Sequence, residues 1–137
     1  MSEGSTELND GPTIVVADDD DDILLLVTAR LRREGFEIVP ARDGVEALAA
    51  VRERRPAVAV LDIGMPGLDG LEVLEAIRGD AEIASTAVLL LTAKAQEQDV
   101  RLGYESGADA YMKKPFSPAE LATKVHELIQ GQDPYVR

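Results

Sequence analysis

The sequence predicts an α/β protein: a doubly wound, five-stranded parallel sheet in the order 2-1-3-4-5, flanked by five helices. Three observations lead there. Strand and helix patterns alternate five times along the chain, which favours a parallel sheet covered on both faces. Three strand candidates are apolar without alternation, as strands buried on both faces are. The other two are interrupted by charge, proline or polar residues, as edge strands are. Interior strands one, three and four with edges two and five satisfy that order, with the switch point between strands one and three.

Each element follows from local pattern. Residues Met1 to Pro12 are small, polar and aperiodic, and are expected to form a flexible tail. Thr13-Ile14-Val15-Val16-Ala17 is the first strand, and the carboxylates Asp18 to Asp22 follow it. Ile23 to Glu34 reads as a helix whose stripe uses Val27 and Leu31 with Ile23 or Leu24, and Gly35 stops it. Phe36 to Pro40 is the second strand, with a charge and a terminal proline. Gly44 to Arg55 is a helix with Val45, Leu48 and Val51, plus Ala49, spaced for one face.

After Pro56, Ala57 to Leu61 is the third strand and ends against Asp62. The turn-rich stretch Ile63 to Asp69 leads into a helix from Gly70 to Arg78 that uses Leu71, Leu74 and Ile77. Ala87 to Leu91 is the fourth strand, closed by Thr92. Glu97 to Ser106 is a weak helix with Val100 and Tyr104 as its stripe, because Gly103 costs it about 1 kcal/mol relative to alanine. Ala108 to Met112 is the fifth strand, more polar and short. Ser117 can cap the last helix, with Pro118 first and Glu120 placed for a capping box. Leu121, Val125 and Leu128 give its apolar face, and Gly131 to Arg137 reads as a short tail. The expected organisation is a tail at 1–12, one domain at 13–130 and a tail at 131–137.

Composition narrows the function. The 137 residues suit one domain, and a hydrophobic fraction of 45% is enough for a core. Asp and Glu number 26 against 14 Lys and Arg, a net charge of −12. That charge opposes direct binding to nucleic acid or anionic membrane and favours cations or basic partner surfaces. With no cysteine there is no disulfide and no thiolate metal site or nucleophile. The first ten residues lack the basic start and apolar core of a secretory signal, and no apolar run approaches the roughly 20 residues of a membrane span. The expectation is a soluble, cytoplasmic protein.

Ligands of such sheets bind outside the carboxyl ends of the strands. Those ends carry Asp18 and Asp19, then Asp62, then Thr92, then Lys114, whereas strand two delivers only Pro40 and Ala41. Carboxylates converging on one rim repel unless a cation joins them. Oxygen ligands without His or Cys indicate a hard cation, and Mg2+ suits a site that also handles phosphate. An aspartate beside a metal, a lysine and a hydroxyl can attack phosphorus and form an aspartyl phosphate.

Taken singly, each residue has an ordinary reading. Asp18 to Asp22 suit a helix N-terminus, and Asp62 can cap a turn. Thr92 can satisfy backbone, Lys114 can be a solvated charge, and Tyr111 can simply pack. His126 reads as a partly exposed helix residue. The coincidence at one rim is what these readings leave unexplained.

At this point the sequence resembles a receiver domain of the two-component response regulators. The matching stretches are Ile14 to Asp20, Leu61 to Gly70, Leu91-Thr92-Ala93-Lys94, Gly107 to Tyr111 and Lys114-Pro115-Phe116, in order across about Thr13 to Gln130. The resemblance implies the same strand order, a flavodoxin-like arrangement, of which this family is itself an example. It also implies roles. Asp62 would accept phosphate from a sensor histidine kinase or a histidine phosphotransfer protein. Asp18, Asp19, Asp62 and the Gly64 carbonyl would hold Mg2+. Thr92 and Lys114 would stabilise the phosphoryl group, and the Lys114–Pro115 bond would be cis. Thr92 and Tyr111 would act as the switch, and Gly64 and Lys94 would tune dephosphorylation.

An output protein would read the face made by the fourth predicted helix, the fifth strand and the last helix. The chain would act as a monomer or a phosphorylation-dependent dimer, catalysing only its own phosphoryl transfer and dephosphorylation. It offers no room for an output domain, so either its output is a protein contact or it is an excised piece of a longer protein. Two alternatives compete. One is a scaffold that binds partners without phosphorylation, which has no need of the acidic, Thr and Lys set. The other is a Mg2+-dependent phosphatase of the haloacid dehalogenase type, suggested by Asp18-x-Asp20, which leaves Asp62 unexplained.

Overall fold

The computed structural model describes residues 11–93, 105 and 107–131. Five parallel strands form one sheet in the order β2-β1-β3-β4-β5. They are β1 (Thr13–Ala17), β2 (Glu37–Ala41), β3 (Val58–Asp62), β4 (Ala87–Thr92) and β5 (Ala110–Lys113). The described residues hold four helices: α1 (Asp21–Arg33), α2 (Gly44–Arg54), α3 (Gly70–Arg78) and α4 (Pro118–Gly131). The helix expected over Glu97 to Ser106 lies outside the described residues except for Glu105.

The strand chemistry explains the order. All residues of β3 and β4 are buried, as is β1 beyond Thr13. Strand side chains alternate between two cores. Ile14, Val16, Val58, Val60, Leu89 and Leu91 face α1 and α4. Val15, Ala17, Ala59, Leu61, Val88 and Leu90 face α2 and α3. Pro40 is tolerated because β2 is an edge. Glu37 donates to the Pro12 carbonyl and the Ala41 carbonyl accepts from Asp18, so odd-numbered residues of β2 face β1. Pro40 therefore puts its missing N–H on the open side.

Capping sets the helix boundaries. Asp20 accepts from the Asp22 and Ile23 amides at the start of α1, and Gly35 follows the helix with φ of 99°. Asp69 and Glu72 close a capping box on α3. Ser117 and Glu120 close the expected box on α4, each accepting the other's amide at 3.0 Å. Arg55 ends α2 in the left-handed region at φ of 46°, and the proline after it disfavours the right-handed helical conformation there.

Two expectations need correction. Val45 is 61% exposed and Ala49 is exposed, while Gly44, Ala47, Leu48 and Val51 form the buried stripe of α2. The helix lies close enough to its neighbours that small residues, not the bulkier Val45, fit underneath it. The fifth strand begins at Ala110, not Ala108. The Asp109 carboxylate takes the Val88 N–H at 2.8 Å, so the ladder starts one residue on, with Ala110 opposite Leu89.

Arg78, at the end of α3, secures the opposite rim of the sheet. Its guanidinium donates to the carbonyls of Ala84 and Thr86 at 3.0 and 2.6 Å. It also donates to the Gly107 carbonyl at 3.0 and 2.7 Å and to Asp109 Oδ2 at 2.9 Å. A single planar fork thus joins α3, the loop before β4 and the loop before β5.

Candidate functional site

The carboxyl ends of β1, β3, β4 and β5 bring the candidate residues to one rim. Asp18 follows β1 and is fully buried. Its amide donates to the Ala41 carbonyl at 3.1 Å, and its Oδ1 accepts from the Asp20 amide at 2.9 Å. Asp62 is the last residue of β3, 5% exposed, opposite Leu91 of β4. The Gly64 N–H reaches back to Asp62 Oδ1 at 3.3 Å. Lys114 follows β5, and the Lys114 N–H donates to the Thr92 carbonyl at 2.8 Å. Its Nζ stands 3.0 Å from Asp18 Oδ2 and 3.3 Å from Asp62 Oδ1. The Lys114–Pro115 bond is cis, as expected.

Burial and charge act in opposite directions here. Burial, and next the negative charge of Asp18, push the Asp62 carboxyl up to about 6, against the pull of Lys114 and the Gly64 N–H. Burial alone would lower the Lys114 pKa, but Asp18 and Asp62 outweigh it and hold that ammonium above the usual lysine value. One ammonium thus faces the carboxyl groups of both Asp18 and Asp62, with Asp19 beside them.

That imbalance is what a cation would correct. Oxygens of Asp18, Asp19 and Asp62 lie within 4.8 Å of one another. Asp18 Oδ2 is buried and has no hydrogen-bond partner of good geometry beyond its ionic contact with Lys114. An all-oxygen donor set with unspent lone pairs fits a hard divalent ion.

The remaining expected residues are placed as follows. Thr92 is fully buried and its hydroxyl donates to the Ala93 carbonyl at 3.1 Å, rather than to Asp62. Tyr111 lies on β5 opposite Leu90 and is 40% exposed. Gly64 is exposed directly after the site's central strand, and Lys94 is outside the described residues. Asp20 is exposed and occupied in capping α1, which removes the second carboxylate of the Asp18-x-Asp20 phosphatase motif from the pocket. His126 pairs with Glu34 Oε1 at 2.8 Å and stacks at a tilt on Phe36, and is not part of the acidic cluster found among the described residues. Sequence reasoning passed over the end of β2, whose Ala41 carbonyl supports Asp18. A backbone acceptor leaves no trace in residue type.

An apolar depression of about 320 Å3 flanks the site, lined by Ile23, Leu26, Val27 and the Lys114–Pro118 turn. Leu26, which lines it, and the preceding Leu25 are both exposed on α1.

A doubly wound 2-1-3-4-5 sheet with an acidic pocket and a lysine at its switch point defines a phosphate-accepting signalling module. The chain belongs to the response regulator receiver domain family, whose model matches residues 14–126. It is 43% identical over 107 residues to the DNA-binding response regulator MtrA of Mycolicibacterium paratuberculosis, covering 78% of this chain and 46% of MtrA. The chain thus spans about half the length of the curated relatives it matches. The Francisella response regulator 1452 receiver domain superposes with a TM-score of 0.81 at 33% identity, over 90% of this chain and 100% of that one. The chemotaxis response regulator CheY4 of Vibrio cholerae gives 0.80 at 30% identity, over 85% and 98%. The chain is a receiver domain of two-component signalling. No helix among the described residues is long and apolar enough to cross a membrane.

Proposed function

We propose that Asp62 accepts a phosphoryl group from a phosphohistidine of a sensor kinase or histidine phosphotransfer protein. The observation that carries this is Lys114 Nζ lodged between Asp18 Oδ2 and Asp62 Oδ1, 3.0 and 3.3 Å away, at the sheet's switch point. Mg2+ would be held by Asp18, Asp19, Asp62 and the Gly64 carbonyl, and when bound it supplies positive charge to the phosphoryl oxygens.

The residues of the chain do the rest by position and charge. The Asp62 carboxylate attacks phosphorus in line, a P–O bond forms, the P–N bond breaks, and the electron pair leaves with the donor imidazole. Lys114 offsets the charge gained on the phosphoryl oxygens. The Thr92 hydroxyl exchanges its Ala93 carbonyl for a phosphoryl oxygen, and Tyr111 follows it inward. Gly64 presents no side chain, which leaves a path for the water that later cleaves the acyl phosphate, and Lys94 tunes that step. Such a domain acts on its own phosphate and does not turn over an external substrate.

The domain boundaries we assign are 13–130, with tails on either side. The partner face for the phosphodonor is the apolar depression beside Lys114 with Leu25 and Leu26 of α1. The output partner reads the face of β5 and α4 with the segment between β4 and β5, in a cytoplasmic monomer or a phosphorylation-dependent dimer.

The test is incubation with a small acyl-phosphate donor and Mg2+, followed by intact mass. Wild type gains one phosphoryl group and Asp62→Asn gains none. Equal uptake by Asp62→Asn refutes the assignment.

A further inference from the structure

The charge that follows strand β2, Arg42, is paired with Asp21 at 3.0 Å, but the end of the strand itself supports the acidic pocket. The Ala41 carbonyl holds the Asp18 amide at 3.1 Å. Three residues on, Gly44 opens α2. Two side-chain bonds close the turn between them: Asp43 Oδ1 accepts the Glu46 amide at 2.8 Å, and Glu46 Oε1 accepts the Arg42 amide at 2.9 Å.

Gly44 rests directly on the segment that leaves Asp62. A Cβ at Gly44 would lie 1.9 Å from the Leu68 carbonyl oxygen and 2.6 Å from the Leu68 Cβ, whereas ordinary contact begins at 3.4 Å. The Gly44 backbone is helical, so its conformation does not call for glycine; the space does. Glycine in a helix costs roughly 0.5–1 kcal/mol relative to alanine, so the close approach must offset that. Gly70 closes the same segment from its other end, where a Cβ would lie 2.7 Å from the Asp62 carbonyl oxygen. A continuous path of backbone contacts therefore runs from Asp18 through Ala41 and Gly44 to Leu68 and back to Asp62.

We infer that the β2–α2 turn is a strut that sets the spacing between Asp18 and the Asp62 segment, with Gly44 a positioning residue for the cation and phosphoryl pocket. This rests on the reading of that pocket given under Proposed function. Asp18 follows β1 and Asp62 ends β3, the neighbouring strand. The segment that leaves Asp62 is tied to the sheet at Ile63, whose N–H donates to the Leu91 carbonyl at 2.9 Å and whose carbonyl accepts from Gly70 at 3.1 Å. Beyond Ile63 the chain leaves the sheet, and Gly44 braces it at Leu68. A methyl group at residue 44 would displace that segment and open the oxygen cluster.

The experiment is calorimetric titration with Mg2+ alone, on the 137-residue wild-type chain, Gly44→Ala, Leu68→Gly and Val51→Ala, at a temperature where circular dichroism shows each folded. Val51 is buried on the same helix away from the turn. Gly44→Ala and Leu68→Gly are expected to bind Mg2+ about tenfold more weakly, the usual scale for residues that orient metal ligands. Val51→Ala is expected to lose stability and keep wild-type affinity, which separates positioning from general packing. Amide exchange at Gly64 should accelerate in Gly44→Ala and not in Val51→Ala. If Gly44→Ala does not fold, Leu68→Gly decides. Wild-type affinity in Gly44→Ala and Leu68→Gly, or equal weakening in Val51→Ala, overturns the strut alone. A wild type that takes up no Mg2+ overturns the cation reading itself, and the strut with it.

Discussion

Lys114 Nζ lies 3.3 Å from Asp62 Oδ1, although the strands that carry them share no ladder, since β4 stands between β3 and β5. The same ammonium is 3.0 Å from Asp18 Oδ2. One cation thus reaches back to residues 52 (114 − 62) and 96 (114 − 18) positions earlier in the chain. Replacing it with an apolar side chain leaves two buried carboxylates facing each other. Lys114→Met is expected to lower metal-free stability at pH 7 by about 1–3 kcal/mol, less than a fully buried pair because Lys114 keeps some solvent. Urea denaturation in chelator measures it, and an unchanged midpoint would show that the bridge contributes nothing.

The pH dependence has a definite sign. Asp62 is pushed up to about 6 from an ordinary value of 3.8. A raised carboxyl stabilises the fold most below its unfolded pKa, and that stability is lost as pH rises through the folded one. Between pH 4.5 and 7.5 the loss amounts to about 2 kcal/mol. In chelator, the stability of Asp62→Asn relative to wild type should therefore grow by about that amount over this range. A constant difference across the range contradicts the raised value. The comparison removes the background repulsion of the other acids, which both proteins share.

Mg2+ should stabilise the fold by mass action, by about 1–3 kcal/mol at ten to a hundred times its dissociation constant. The buried Asp18 Oδ2 is the atom that most needs it. Asp18→Asn is expected to abolish the Mg2+-dependent rise in thermal midpoint, and the control Asp80→Asn, at a carboxylate that accepts from the Glu82 amide and pairs with Arg52 outside the acidic cluster, is expected to keep it. An equal rise in Asp18→Asn would place the ion elsewhere.

Arg78 is the structural counterpart at the other rim. Arg78→Ala leaves the carbonyls of Ala84, Thr86 and Gly107 and the Asp109 carboxylate without that donor. The expected cost is about 2–4 kcal/mol in chemical denaturation. Amide exchange should accelerate first in β5, the shortest strand, which pairs only with β4. Arg78→Lys should recover only part of the loss, because an ammonium cannot reproduce the planar fork.

Much of this was legible in residue order. Apolar runs and their interruptions separated interior strands from edges, because a parallel strand buried on both faces tolerates neither charge nor proline. The rim residues could be read from strand ends, because side chains that leave a buried strand emerge on one edge. On α2 the expected Leu48 and Val51 are buried, but Val45 carries a stronger apolar signal than Gly44, which is the buried residue, and residue type cannot separate the buried Ala47 from the exposed Ala49. Side-chain size near a close contact is decided by the neighbour, and Leu68 lies 24 residues away (68 − 44).

Local sequence determined the elements, their order and the polar groups available at the rim, since these depend on periodicity, capping and the handedness of crossovers. Tertiary structure alone decided that Lys114 reaches Asp18 and Asp62, that Thr92 turns to Ala93, and that Ala41 and Gly44 brace the pocket. These contacts depend on sheet register and on backbone atoms, which every residue type shares and no composition can signal.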